Sequence, residues 1–316
     1  IPLDLQQHLL NVFRRAFSER LSSDIQPLLQ EVKGHLYNRD FVTAFGRQDY
    51  LEAYAARWSP ARALGYLSVL IDLKEHLSSA LGPASLDPAK PNNIVCLGGG
   101  AGAELTALAG FLHMLAITTD DSQNLPSFEI VAIDMAGWRS VVNNLRDCVT
   151  TPLPTSKDAP AAAQAANAPL TTPENFQVAF HQRDVLHSAW PELEPIMQDA
   201  TLITLMFTLN ELYSTSVSLT QKLLLSLTAS LQEGALLLVV DSAGSYSSVM
   251  INGAEKKYPM QWLLDHTLLK DGGKDEAPAW MKIAEDESRW FRLADELKYP
   301  IELENMRFQL HLYQRL

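Results

Sequence analysis

Apolar residues recur at helical spacing through the start of the chain: Leu5, Leu9, Val12, Phe13, Phe17 and Leu21, then Ile25, Leu28, Leu29 and Val32. The two runs predict helices between Leu3 and about His35, with Pro27 in the first turn of the second. Residues 49–56 and 59–81 predict two more, the latter opened by a Ser59 cap with Pro60 just behind it. From about residue 86 the period changes. Short apolar runs at 92–97, 128–134, 176–185, 200–211 and 235–241 alternate with helical stretches, as in a parallel sheet covered on both faces. Residues 219–231 predict a helix ended by Gly234, residues 280–297 a partly helical segment, and residues 301–307 and 309–315 a terminal pair of antiparallel strands. The predicted fold is α/β, a seven-stranded doubly wound sheet over residues 86–316. An all-helical subdomain over residues 1–85 precedes it, as a lid or substrate platform.

Two stretches interrupt the pattern. Residues 150–173 are rich in Ala, Pro and Thr with almost no large apolar side chains, which predicts a disordered insertion. Residues 271–278 form a second weak stretch. The longest apolar run, residues 223–240, is broken by Gln232, Glu233 and Gly234, so it reads as helix, turn and buried strand, and no membrane span is expected.

The chemistry concentrates where strands end. Residues 97–104, Leu-Gly-Gly-Gly-Ala-Gly-Ala-Glu, follow the first apolar run and lead into a helix. Gly98, Gly100 and Gly102 fit a G-x-G-x-G turn that lets the backbone lie against a ligand beside free helix N–H groups. Gly98, Gly100 and Ala103 also fit G-x-G-x-x-G/A, so the turn alone leaves a dinucleotide and S-adenosylmethionine both open. The second run ends in Asp134, followed by Met135, and an acid there accepts hydrogen bonds from ribose hydroxyls. The third ends in Asp184-Val185, where class I methyltransferases place an acid facing the adenine amino group. The fourth ends in Thr208, Asn210 and Glu211, where a transferable methyl would sit. Three acidic or amide strand ends in register with one glycine loop point to S-adenosylmethionine and a methyltransferase.

Asn210 and Glu211 are the candidate catalytic pair, through an amide that orients an acceptor and a carboxylate that takes its proton; Asp184 is a second candidate for the proton. The same two residues suit a helix cap and first turn. Arg57 could hold the methionine carboxylate of the cofactor or a substrate phosphate, while Tyr54 or Trp58 could stack on an extruded base; Tyr37 and Arg39 are further substrate candidates.

Composition sets outer limits. In 316 residues, 47% are apolar and 20% charged, ordinary for a globular chain. The two cysteines form no disulfide framework, which suits a reducing compartment, and the eight scattered histidines predict no metal. Net charge is −12, and the acid is concentrated in residues 71–250, which carry 7 Lys+Arg against 18 Asp+Glu. A polyanion would meet the ends, at Arg14, Arg15, Arg20, Arg39, Arg47, Arg57 and Arg62, then Lys256 and Lys257.

Residues 36–41 (Leu-Tyr-Asn-Arg-Asp-Phe), 53–66 (Ala-Tyr-Ala-Ala-Arg-Trp-Ser-Pro-Ala-Arg-Ala-Leu-Gly-Tyr), the glycine loop and 303–308 (Leu-Glu-Asn-Met-Arg-Phe) together resemble a fungal methyltransferase family. That family includes the enzyme making N3-methyluridine in large-subunit (25S) ribosomal RNA, and the likeness runs across most of the chain. The resemblance implies a Rossmann-like enzyme dependent on S-adenosylmethionine, acting on ribosomal RNA or a pre-ribosomal particle, in the nucleolus, nucleus or cytoplasm. A small molecule or protein side chain as acceptor, or a non-catalytic cofactor-binding protein, are the other readings.

Overall fold

Burial on both faces explains why the central strands are apolar at nearly every position. In the computed structural model, residues 1–22, 24–81, 91–118, 126–152, 168–251, 254–269 and 278–316 are described. Six helices come first: α1 (Leu3–Ala16), α2 (Ser18–Ser22), α3 (Gln26–Tyr37), α4 (Phe41–Ala44), α5 (Gln48–Asp72) and α6 (Lys74–Leu81). Then β1 (Asn92–Leu97), α7 (Ala103–Thr118), β2 (Phe128–Asp134), α8 (Arg139–Thr150), β3 (Phe176–Gln182), α9 (Trp190–Met197) and β4 (Leu202–Met206) alternate. The chain ends with α10 (Leu209–Thr215), α11 (Val217–Ser230), β5 (Leu236–Ser242), a hairpin β6 (Tyr246–Ile251) and β7 (Ala254–Pro259), α12 (Met260–Leu268), β8 (Trp280–Phe291) and β9 (Met306–Arg315).

The main sheet runs β3-β2-β1-β4-β5-β9-β8. The first five strands are parallel, and β9 and β8 close the far side antiparallel. Strand order reverses between β1 and β4, which opens a crevice at their C-terminal ends. One apolar cluster covers one face with Phe13, Leu64, Phe111 and Leu145; the other holds Leu193, Leu227, Leu264 and Tyr313.

The helical preface shares one apolar core with α7, α8 and the sheet. Several expectations are corrected. The break expected between 49–56 and 59–81 is absent: α5 runs through it with Pro60 in its interior, and the chain breaks instead at Leu73, before α6. Pro60 cannot donate to the Ala56 carbonyl, and the Tyr299 hydroxyl donates to it instead at 2.9 Å. Ser59 is therefore no cap; its hydroxyl donates to the Ala101 carbonyl at 2.8 Å. Residues 280–291 form a strand rather than a partly helical segment, and the terminal pair is β8 with β9. The fourth strand stops at Met206, because Phe207 adopts φ 57° and α10 begins two residues later. At the expected insertion, residues 153–167 lie outside the described residues, but Leu170 is buried and its N–H donates to the Val149 carbonyl at 3.0 Å.

Candidate active site

A cavity of about 780 Å³ opens at the crevice, within the range of small-molecule sites. Its floor is the glycine loop. Gly98 and Gly102 have φ of 79° and 77°, a backbone that favours glycine, and a Cβ on Gly98 would strike the Thr208 side chain. Gly100 is not a wall residue. Its N–H instead donates to Asp134 Oδ2 at 3.2 Å, while Asp134 Oδ1 accepts the Ala136 N–H at 3.1 Å. Each carboxylate oxygen carries two lone pairs, so one hydrogen bond does not saturate it. Burial pushes the Asp134 carboxyl up to about 6, against these hydrogen bonds.

Gly98, Gly102, Asp134, Met135, Asp184, Val185, Thr208, Asn210 and Glu211 all line this one cavity. So do Tyr37, Arg39, Tyr54 and Trp58 from the helical preface. Tyr37 and Arg39 are exposed at the mouth, and Arg39 holds φ 56° just beyond the end of α3. Tyr54 lies 4.9 Å from Trp58 and 5.8 Å from Trp138, centroid to centroid, which makes an aromatic wall. The Asp184 carboxylate meets His187 Nδ1 at 2.8 Å.

Arg57 is corrected. It is buried, does not line the cavity, and pairs with Glu304. The guanidinium in the cavity wall belongs to Arg62, five residues on, which donates to the Tyr54 hydroxyl at 2.7 Å and lies over the Phe207 ring at 5.0 Å. No spacing signal separated the two arginines.

At the end of β4, Asn210 does not cap α10. The Asp241 carboxylate at the end of β5 does so, accepting the Asn210 N–H at 3.0 Å and the Ser242 N–H at 2.7 Å. Burial pushes Asp241 up to about 6. This leaves Asn210 Oδ1 and Glu211 Oε2 buried with no hydrogen-bond partner, on residues that line the cavity. Orphan acceptors of this kind are costly unless a ligand satisfies them. Glu104, in the first turn of α7, is the other buried carboxyl. It accepts from the Thr204 hydroxyl at 2.6 Å, and burial pushes it up to about 8. Asp241 repeats the signal that marked Asp134, an acid closing an apolar run; Glu104 carried no such signal because helix first turns commonly hold acids.

Among the described residues, no three His, Cys, Asp or Glu side chains group as a metal site. No described helix is long and apolar enough to cross a membrane.

A family model described as "Putative SAM-dependent methyltransferase" matches residues 13–314. The chain belongs to that family. This methyltransferase is 35% identical over 328 residues to the 25S rRNA (uridine(2843)-N(3))-methyltransferase of Saccharomyces cerevisiae, covering 97% of this chain and 85% of the relative. Among solved structures, an O-methyltransferase family protein from Burkholderia thailandensis is 13% identical with TM-score 0.37, covering 92% of this chain and 71% of that one. CalS10 with SAM bound, an amino pentose methyltransferase from Micromonospora echinaspora, is 12% identical with TM-score 0.37, over 81% and 94%. The strand order β3-β2-β1-β4-β5-β9-β8 is that of a doubly wound sheet with its crevice between β1 and β4. The site suits the cofactor: a glycine floor, the strand-end acid Asp134 and the orphan acceptors occur in one crevice.

Proposed function

We propose that this methyltransferase modifies N3 of a uridine in large-subunit ribosomal RNA, on free RNA or in a pre-ribosomal particle, in the nucleus or nucleolus. The carrying observation is the pair of orphan acceptors, Asn210 Oδ1 and Glu211 Oε2, at the end of the cavity where β4 and β5 finish. Identity to a relative named for uridine N3 supports the acceptor.

S-adenosylmethionine supplies an electrophilic methyl group on a positively charged sulfur. Asp134 holds the ribose side and the Gly98–Gly102 floor admits close backbone approach. A uracil edge offers N3–H between two carbonyls, so the Asn210 Nδ2–H would orient a carbonyl while Glu211 accepts the N3 proton as the N3–C bond forms and the sulfonium S–C bond breaks, leaving a neutral thioether. Tyr54 and Trp58 give an extruded base a stacking surface.

Single-turnover transfer of labelled methyl to ribosomal RNA lacking the modification, read as N3-methyluridine by nucleoside mass spectrometry, tests this. Glu211→Gln and Asn210→Ala should lower the rate about 10²–10⁴-fold per folded molecule. Label appearing in a metabolite or protein fraction and not in RNA would sink the reading.

A further inference from the structure

An RNA whose target base enters the cavity must continue beyond it. Glu304 lines the cavity, and Arg307 follows three residues later, so the two Cα atoms lie within about 11 Å at full extension. Arg307 pairs in register with Trp290 across β9 and β8, which puts the two side chains on the same sheet face. Trp290 is 52% exposed. Two guanidinium groups flank its ring, Arg292 at 5.1 Å from the centroid and Arg307 at 6.0 Å. Arg307 is steadied by donating from Nε to the Ser288 hydroxyl at 3.0 Å.

The charges here are unspent. Arg289, next to Trp290, is neutralised by Asp286 and Asp72. Neither Arg292 nor Arg307 has a carboxylate at ion-pair distance among the described residues, and both are exposed. Charged side chains on an edge strand such as β8 also deter sheet extension, but that purpose needs no exposed tryptophan between two arginines. The register places the patch at the catalytic end of the sheet. Phe308, the neighbour of Arg307, lies opposite Ser242 of β5, and Ser242 is a cavity residue.

We propose that Trp290, Arg292 and Arg307 form a landing site for an unpaired RNA stretch next to the target nucleotide, with a base stacking on the indole and the guanidiniums meeting phosphates. This rests on RNA being the acceptor. It adds the surface that engages the strand outside the cavity.

The test measures binding of a uridine-containing single-stranded 12-mer by fluorescence anisotropy across a salt series, with methyl transfer to ribosomal RNA measured in parallel. Arg292→Ala/Arg307→Ala should weaken RNA binding about 10-fold at low salt. It should also flatten the salt slope by about 1.4, for two phosphate contacts on a single strand. Trp290→Ala should weaken binding about 5-fold or more with the salt slope unchanged. In both variants KM for RNA rises, kcat stays near wild type, and S-adenosylmethionine affinity by calorimetry and the thermal midpoint stay the same. Arg292→Glu/Arg307→Glu should bind more weakly than the alanine pair. Unchanged RNA affinity in folded variants overturns the proposal while leaving the function intact if the wild type still methylates RNA. Equal competition by duplex RNA or by poly-glutamate overturns it in favour of a nonspecific or protein surface. Wild-type protein that methylates no RNA, but loses single-strand binding in the variants, overturns the function and keeps the patch.

Discussion

Asp241 Oδ2 accepts the backbone N–H of Asn210 at 3.0 Å, so the end of β5 caps the helix that follows β4. The bond fixes where Asn210 and Glu211 stand relative to the crevice. Asp241→Ala should cost about 1 kcal/mol of stability and lower methyl transfer about 10²-fold. Ser216, which caps α11 by accepting the Leu219 N–H at 3.2 Å, gives the control. Ser216→Ala should cost similar stability and leave the rate per folded molecule unchanged, as chemical denaturation and single-turnover assays will report.

Asp134 accepts backbone N–H groups on both oxygens and lines the cavity. Asp134→Ala should weaken S-adenosylmethionine binding by about 1.5–3 kcal/mol, the scale of a lost charged hydrogen bond. Calorimetry with unchanged affinity removes Asp134 from the cofactor site.

Glu104 is buried, and its carboxyl is raised from 4.5 to about 8. Between those values the folded protein keeps a proton that the unfolded chain releases, so stability falls as pH rises through that window. Glu104→Gln keeps an acceptor for the Thr204 hydroxyl and removes the titration. Its thermal midpoint should fall less than that of wild type between about pH 5 and about pH 8. Asp134 and Asp241 are raised to about 6 in the wild type and Asp134 repels the Glu104 charge, so the part of the slope that remains in the variant lies near pH 6 and the part lost lies toward pH 8.

Arg57 and Arg62 should separate cleanly. Arg57→Ala breaks the pair with Glu304 and should cost about 1–3 kcal/mol of stability with near-normal transfer per folded molecule. Arg62→Ala removes the guanidinium from the cavity wall and should raise the Kd for S-adenosylmethionine or the KM for RNA about 10-fold or more. Parallel melts and binding isotherms distinguish the two patterns.

Pro60 and Tyr299 form a coupled pair through the Ala56 carbonyl. Tyr299→Phe should cost about 1–2 kcal/mol by leaving that carbonyl unpaired. In a Pro60→Ala background the residue-60 N–H can donate to the same oxygen, so the cost should shrink. A double-mutant cycle by denaturation measures the coupling.

The sequence by itself determined the five parallel strands, the glycine turn and the acid that closes β2, because those depend on local period and on residue types that turns and strand ends require. It also carried the family, through motifs spread from residue 36 to residue 308. Only the tertiary structure decided what long-range contacts control. Pro60 sits inside one helix since Tyr299, 243 residues away, supplies the missing partner. Arg57 is withdrawn from the cavity since Glu304, 247 residues away, takes its charge. Residues 280–291 are a strand since β9 offers an unpaired edge, and cross-strand pairing outweighs local helical preference. Asn210 and Glu211 become orphan acceptors rather than a cap since a carboxylate from the neighbouring strand already holds the helix end. In each case the deciding partner lies far along the chain, where no local pattern reaches.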